Sequence, residues 1–233
     1  MNALRIQRVT TFDLRVTSWD WPFARTRRGE IDAHFAQAQH SKPKTWNGRV
    51  LLARNAQLTG DRLAAEYFET DCASFLAWRD WGHPDKDVFN GFGMGALRAT
   101  DGAFVLGEMG ADTANAGRIY FPSGTPDLDD IREGAMDIAG SVAREVEEET
   151  GITPADYRAG PNWTCIDTGP SIAMIRMLDV DMRGEALRAR IEANLARQSA
   201  PELSAIHLVR ARADLSSAMP RFVTAFLEAE LPG

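Results

Sequence analysis

Over residues 3–16 apolar and polar positions alternate loosely, the period-two pattern of a strand, and "WDWPFARTRRG" after it mixes aromatics with arginines and reads as an exposed connection. Ile31, Phe35 and Ala38 then fall on one face of a helix expected over residues 30–39. "GRVLLARNAQL" and "DRLAAEYFETD" read as two strands joined by a Thr59-Gly60 turn, followed by a short helix over 73–81 that carries Phe75, Leu76 and Trp78. The Asp101-Gly102 pair between two apolar runs predicts a β-hairpin over 95–109, with positive φ at both turn positions. "RIYFPSGTPD" gives a short strand that ends in a turn.

The clearest helix spans residues 134–150, where Ile138, Val142 and Val146 recur at four-residue spacing beside Ala139 and Ala143, and Gly151 stands where a helix stops. Beyond it the pattern predicts strands over 163–168, 171–181 and 204–212, and helices over 184–198 and 217–230. Interleaved strands and helices predict an α/β fold with a mixed sheet flanked by helices. Residues 1–90 form an N-terminal α+β elaboration, and residues 91–233 the main domain.

Composition narrows the chemistry. The 233 residues are 44% hydrophobic and 25% charged, ordinary globular values that suffice for one large domain or one with an elaborated end. A net charge of -7 argues against a general binder of nucleic acid or membrane surface, and means that a small anionic substrate needs a cation to accompany it. No apolar run reaches signal-peptide or membrane-spanning length, so a soluble, cytoplasmic protein is expected. Cys72 and Cys165 are too few for a disulfide framework and read as reduced core residues. His34, His40, His83 and His207 are scattered, without the spacing of a zinc pair. The tryptophans, concentrated before residue 79, are expected to pack the elaboration. Gly91, Gly93 and Gly95 precede a strand instead of linking strand to helix, so a dinucleotide loop is not expected there.

That leaves "AREVEEETGI", residues 143–152. At about 100° per residue, Glu145, Glu148 and Glu149 fall within an arc of roughly 100° along one edge of the apolar face, while Glu147 points away. Three converging carboxylates repel one another without a counter-charge, and a hard divalent ion such as Mg²⁺ takes oxygen ligands and shares them with substrate phosphates. Arg144, one turn before Glu148, is placed to pair with it or to orient another carboxylate. The plainer reading is a solvated acidic helix face.

The order of residues separates the two. Arg-Glu-Val-x-Glu-Glu-x-Gly-Ile over 144–152 resembles the second half of the Nudix box, Arg-Glu-aliphatic-any-Glu-Glu-any-Gly-aliphatic, at every specified position. "YFPSGTPD" resembles the strand and turn that enter the box. The resemblance implies a Nudix fold, an α/β/α sandwich around a mixed sheet, over roughly residues 91–233, and hydrolysis of a nucleoside diphosphate linked to another group with Mg²⁺ or Mn²⁺ as cofactor. It makes Glu145, Glu148 and Glu149 metal ligands, one of them helping to deprotonate water, and Arg144 the residue that holds the carboxylates in place.

The first half of the box departs from the pattern. The family has a glycine six residues before a glutamate, itself eight before the arginine; counting back from Arg144 puts Met136 in the glutamate's place and Asp130 in the glycine's. The nearest suitable glycine is Gly124, which makes the intervening loop about six residues too long. Asp137 or Glu133 is a candidate for the missing carboxylate, with Met136 a packed helix residue.

A further acidic residue from outside the box is common in the family, and Glu202, just before an expected strand, is the candidate. Arg98, Arg118 and Arg176, on expected strands, are candidates to hold phosphates. The order of elements from "TWNGRVLL" through "GFGMGALRATDGAFVL" to the lengthened box loop is similar to the Nudix branch that hydrolyses UDP-glucose and UDP-galactose, with "ELSAIHLVRA" supplying the later glutamate. The resemblance therefore implies a nucleotide-sugar pyrophosphatase that yields a nucleoside monophosphate and a phosphorylated product. The alternatives are a coenzyme A or dinucleotide (NADH, ADP-ribose) diphosphatase and, from another class, a Nudix-fold module that binds a nucleotide or protein without turnover. The expected partner is a small nucleoside diphosphate derivative, with homodimerisation left open.

Overall fold

The structure, a computed structural model, describes residues 4–42 and 46–232. The alternating N-terminal stretch forms β1 (Arg5–Val9) and β2 (Thr11–Val16). The segment expected as an exposed connection instead starts α1 (Pro22–Thr26), with α2 (Arg28–Ser41) behind it. Proline at the first helical turn is pre-set for the helix, and Trp21 and Phe23 are buried with Ile31, Phe35, Phe68 and Trp78 in a second apolar core. Burial of those aromatics overrides the local charge that suggested exposure.

β3 (Arg49–Thr59) and β4 (Arg62–Asp71) form the expected hairpin about Gly60, and α3 (Cys72–Asp80) follows, capped by the Asp71 carboxylate, which accepts from the Ser74 N–H. β5 (Val88–Arg98) and β6 (Phe104–Met109) form the second hairpin. Its turn differs from expectation: only Gly102 has positive φ, at 79°, and the Ala99 N–H bonds to the Ala103 carbonyl. The loop is three residues long and needs a single left-handed position instead of two.

After β7 (Ile119–Tyr120), a small hairpin pairs β8 (Ile131–Arg132) with β9 (Ala135–Met136) around Glu133 and Gly134, both at positive φ. α4 (Ile138–Thr150) therefore begins four residues later than its pattern suggested. β10 (Tyr157–Asp167), β11 (Ser171–Val180), α5 (Gly184–Leu195), β12 (Leu203–Val209) and α6 (Arg221–Glu230) complete the chain. No described helix is long and apolar enough to cross a membrane.

The strands form one mixed sheet in the order β1-β10-β11-β5-β3-β4-β2-β9-β8, with β6 paired to β5, β7 and β12. β5 is parallel to β11 over residues 90–98, and β2 is parallel to β4. Along its other edge β5 holds β3 only at Val88 and Phe89, and β6 only at Leu97 and Arg98. Between those two attachments the sheet splays, and the Gly95 N–H donates to the Pro122 carbonyl. The segment after β7 is stitched into this opening, since the Leu51 N–H of β3 also donates to the Pro126 carbonyl. Residue 90, where the elaboration was expected to end, lies inside β5, and β1 and β3 belong to the same sheet as the later strands.

Helices flank both faces of β5. Strand alternation sends Gly93 and Gly95 toward α4, while Phe92 meets Phe222 of α6 on the other side, ring centroids 5.5 Å apart. A Cβ on Gly95 would lie 2.5 Å from Cγ2 of Val146, and one on Gly93 2.5 Å from Cγ2 of Val142. The glycines therefore let α4 sit closer to the sheet than any side chain permits. Gly95→Val is expected to cost about 1–3 kcal/mol in denaturant unfolding through overpacking. Gly29→Ala, in a helix with nothing within 4 Å, should instead gain about 0.5–1 kcal/mol. Equal stability of Gly95→Val and the parent protein would refute the close-approach argument.

Candidate active site

α4 is fixed at both ends. The Asp137 carboxylate accepts from the Gly140 N–H at its start, and Gly151, at φ 71°, closes its end in the left-handed region. Ile138, Val142 and Val146 lie against β5, which turns Glu145 and Glu149 toward the turn at Ser123 and Gly124. Glu149 is only 5% exposed; one of its oxygens accepts from the Ser123 N–H at 3.3 Å, and the other, Oε2, is buried without a partner. Gly124 packs on the Glu145 carboxylate so closely that a Cβ there would lie 2.3 Å from Oε1. A side chain there would push the Glu145 carboxylate aside.

Arg144 reaches three acids, with N···O distances of 2.9 Å to Asp130, 2.7 Å to Glu145 and 3.5 Å to Glu148. The three glutamates of the motif are not equivalent. Glu145 and Glu149 are sheltered, whereas the Glu148 side chain is 60% exposed and Glu147 faces solvent.

Burial raises the Glu145 carboxyl to about 7; Arg144 opposes the shift, and the charges of Glu148, Asp130 and Glu202 add to it. Glu149 is raised well above the carboxylate range, again by burial first and then by the charge of Glu145. Burial pulls the Arg144 guanidinium down, but its hydrogen bond to Asp130 and the charge of Glu145 reverse this and leave it raised. An unpartnered buried carboxylate oxygen beside a second buried acid is an expensive arrangement for the protein alone, and an oxygen-seeking divalent cation would offset it. As placed, no three His, Cys, Asp or Glu side chains among the described residues are gathered tightly enough to hold a metal, because Glu148 is drawn to Arg144 and solvent. A rotation of Glu148 would complete an all-oxygen set with Glu145 and Glu149, so the residues present suit a hard divalent ion.

The β8–β9 hairpin resolves the anomaly upstream. Residues 131–136 fold back as a six-residue excursion, and Asp130 and Asp137 meet across its base, the Asp137 N–H donating to the Asp130 carbonyl at 2.8 Å. With the hairpin set aside, Gly124 stands six residues before Asp130, and Asp130 eight before Arg144, which is the family spacing with aspartate in place of glutamate. Asp130 is 3% exposed, with Oδ1 on Arg144 and Oδ2 accepting from the Asp127 N–H. Counting straight through the hairpin had given Asp130 the glycine's position and Met136 the glutamate's. Met136 is a packed core residue of β9, not of a helix; Asp137 is the cap of α4, and Glu133 is the hairpin turn. The Glu133-Gly134 turn was the available signal for the excursion.

A cleft of about 710 Å³ runs alongside, lined at one end by Ser123 and Gly124. Of the three arginines proposed for phosphates, Arg118 lines it. Arg98 lies elsewhere, paired with Asp179 at 2.7 Å, and Arg176 sits over the Trp163 ring and donates to the Gly160 carbonyl. Arg221, absent from the expected set, lines the cleft too. Glu202 is exposed just before β12, its carbonyl accepting from the Gly110 N–H, and its charge is felt at both Glu145 and Glu149. Cys72, expected in a core, is half-buried in the cleft wall, and Trp46 stands 62% exposed at the same cleft instead of packing the elaboration. His207 pairs with Glu108 at 2.8 Å and His34 with Asp80 at 3.0 Å.

No family model and no curated protein matches the chain. Among solved structures it is similar to a MutT protein from Methanosarcina mazei Go1, at 20% identity and TM-score 0.39 over 61% of this chain and 92% of that one. It is also similar to RenU, a Nudix hydrolase from M. smegmatis, at 11% identity and TM-score 0.38 over 61% of this chain and 86% of that one. A third is a bifunctional NMN adenylyltransferase/ADP ribose pyrophosphatase from Francisella tularensis complexed with AMP and a manganese ion, at 15% identity and TM-score 0.41 over 67% of this chain and 46% of that one.

The raised carboxyls set a direction for stability. Glu145 and Glu149 hold protons more tightly folded than unfolded, so their contribution is complete below the unfolded value of 4.5 and falls as pH rises, that of Glu145 being lost through about 7 and that of Glu149 declining in the same direction. Metal-free protein should therefore melt at lower temperature at about pH 8 than at about pH 5, with Glu149→Gln flattening the difference. Added Mg²⁺ should restore the melting temperature at pH 8 in the parent protein more than in the variant. A parent profile that rises from pH 5 to 8 would contradict this account.

Proposed function

We propose that the protein is a Nudix-type pyrophosphatase, dependent on Mg²⁺ or Mn²⁺, that hydrolyses a nucleoside diphosphate linked to another moiety, with a nucleotide sugar such as UDP-glucose as its preferred substrate. The observation that carries this is the pair of sheltered carboxylates, Glu145 and Glu149, set beneath Gly124 with Glu149 Oε2 unpartnered. A solvated acidic helix face would not bury them. The recovered spacing of Gly124, Asp130 and Arg144 supports the same reading, as does the complete second half of the box. The nucleotide-sugar preference rests on the resemblance in the order of elements to the branch that cleaves UDP-sugars.

Glu145, Glu149 and a rotated Glu148 would hold the divalent ion, which when bound supplies charge neutralisation at the diphosphate and a lowered water pKa. Arg144, anchored on buried Asp130, keeps Glu145 from swinging into solvent. Among these carboxylates one would also help to deprotonate the attacking water. Arg118 and Arg221 line the cleft with their guanidiniums in no ion pair among the described residues, and are placed to bind the diphosphate. Glu202 adds negative charge that a bound cation would balance.

The test is incubation with Mg²⁺ and UDP-glucose, UDP-galactose, ADP-ribose, NADH, coenzyme A and nucleoside triphosphates, with products identified by mass. UDP-sugars are expected to yield UMP and a sugar 1-phosphate, and Glu149→Gln to lower turnover by about 10²–10⁴-fold. Cleavage of coenzyme A or NADH in preference to UDP-glucose would overturn the substrate preference. No turnover of any compound, with melting unchanged by metal, would overturn the enzyme reading.

A further inference from the structure

The cleft is also lined by Asn90, whose Oδ1 is buried without a hydrogen-bond partner among the described residues. It stands in β5 opposite Ser171 of β11, and both residues line the cleft. Leaving a buried amide oxygen unpaired costs about 1–3 kcal/mol, and proteins pair such groups unless a ligand does so. Aromatic side chains line the same cleft. Phe92, two residues along the same face of β5, is edge-on to Phe222, and Trp46 offers an exposed indole.

We propose that Asn90 is the specificity-determining residue of the cleft and binds the hydrogen-bonding edge of the substrate's nucleobase. A primary amide presents a donor and an acceptor side by side, and nucleobases are the part of a nucleoside diphosphate that returns this pattern on a rigid ring. The amide can turn over to exchange its carbonyl and NH₂, so it suits the imide of a uracil or the amidine edge of an adenine. Phe92, Phe222 and Trp46 in the same lining suit the π-face of such a ring. With the base at Asn90, Arg118 and Arg221 line the same cleft for the phosphates, and Gly124, also in its lining, packs on the Glu145 carboxylate.

The assignment rests on the pyrophosphatase reading for its ligand, but its test does not depend on turnover. UMP, AMP and glucose 1-phosphate are titrated calorimetrically into the parent protein, Asn90→Leu and Asn90→Asp, each checked by thermal melting. At least one nucleoside monophosphate should bind the parent protein and weaken by roughly 10–100-fold in Asn90→Leu, with glucose 1-phosphate unaffected. UMP against AMP then distinguishes the two base edges. Should Asn90→Leu fail to fold, Asn90→Asp keeps the size and one acceptor while losing the donor, and the same nucleotide should weaken. Unchanged nucleotide affinity in a folded variant, loss confined to glucose 1-phosphate, or no nucleotide binding to the parent protein overturns the proposal. Asn90-dependent binding without hydrolysis would remove the enzyme reading and leave this one standing; hydrolysis with Asn90-independent binding would do the reverse.

Discussion

The seating of α4 on the glycines of β5 is the constraint from which the candidate site follows. Because Gly93 and Gly95 carry no side chains, Val142 and Val146 drop onto the strand, and the rotational phase of the helix is set by that contact. Once the apolar stripe is down, 100° per residue leaves Glu145 and Glu149 no direction but the edge facing the Ser123-Gly124 turn. The turn in turn is held by β5 and β3 through the carbonyls of Pro122 and Pro126. Helix, strand and turn are thus mutually fixed by contacts with little tolerance for added volume.

Electrostatics is resolved around one side chain. Five carboxylates crowd the region, and Arg144 lies within ion-pair distance of three of them, Asp130, Glu145 and Glu148. Asp130 is almost fully buried, so its charge has no solvent to turn to and holds the guanidinium in place. That leaves Glu149, whose second oxygen has no partner, and Glu202 acting from a distance. A protein optimised for stability alone would not retain this arrangement, and such local violations concentrate where a ligand completes the structure.

The sequence made the parts that depend on local periodicity legible and left the parts that depend on distant contacts obscure. The four-residue recurrence from Ile138 to Val146 and the Gly151 stop read correctly as a helix, because its burial follows its own repeat. Its start did not, since hairpin geometry at Glu133 and Gly134 competes with helix over the preceding residues. The same hairpin hid Asp130: spacing along the chain carries a motif only while the chain runs directly between its members. The segment that carries Phe23 reads as an exposed connection, although its tryptophans are expected to pack, because nothing near it in sequence reveals that Trp21 and Phe23 share a core with Phe68 and Trp78. Arg98, Arg118 and Arg176 were indistinguishable as strand arginines, and only pairing with Asp179 or stacking on Trp163 separates two of them from the cleft.

The splayed strand β5 explains why the chain before residue 90 matters to a motif more than fifty residues later. β3 leaves β5 after two residues and β6 joins it only at the far end, so the middle of the strand is edged by the turn after β7, and Asn90, Phe92 and Met94 line the cleft. Val50, Cys72, Leu76 and Arg79 line it from the N-terminal side, while Met219 and Phe222 line it from the other. The carboxylates of α4 meet the cleft only through the turn at Ser123 and Gly124, whereas the apolar part of its lining is shared between N-terminal and C-terminal segments. The proposed hydrolytic chemistry and the selection of what is hydrolysed therefore sit on separate structural elements joined by one strand. Substitutions at Asn90 or along α3 therefore bear on the second, while those in α4 and its turn bear on the first.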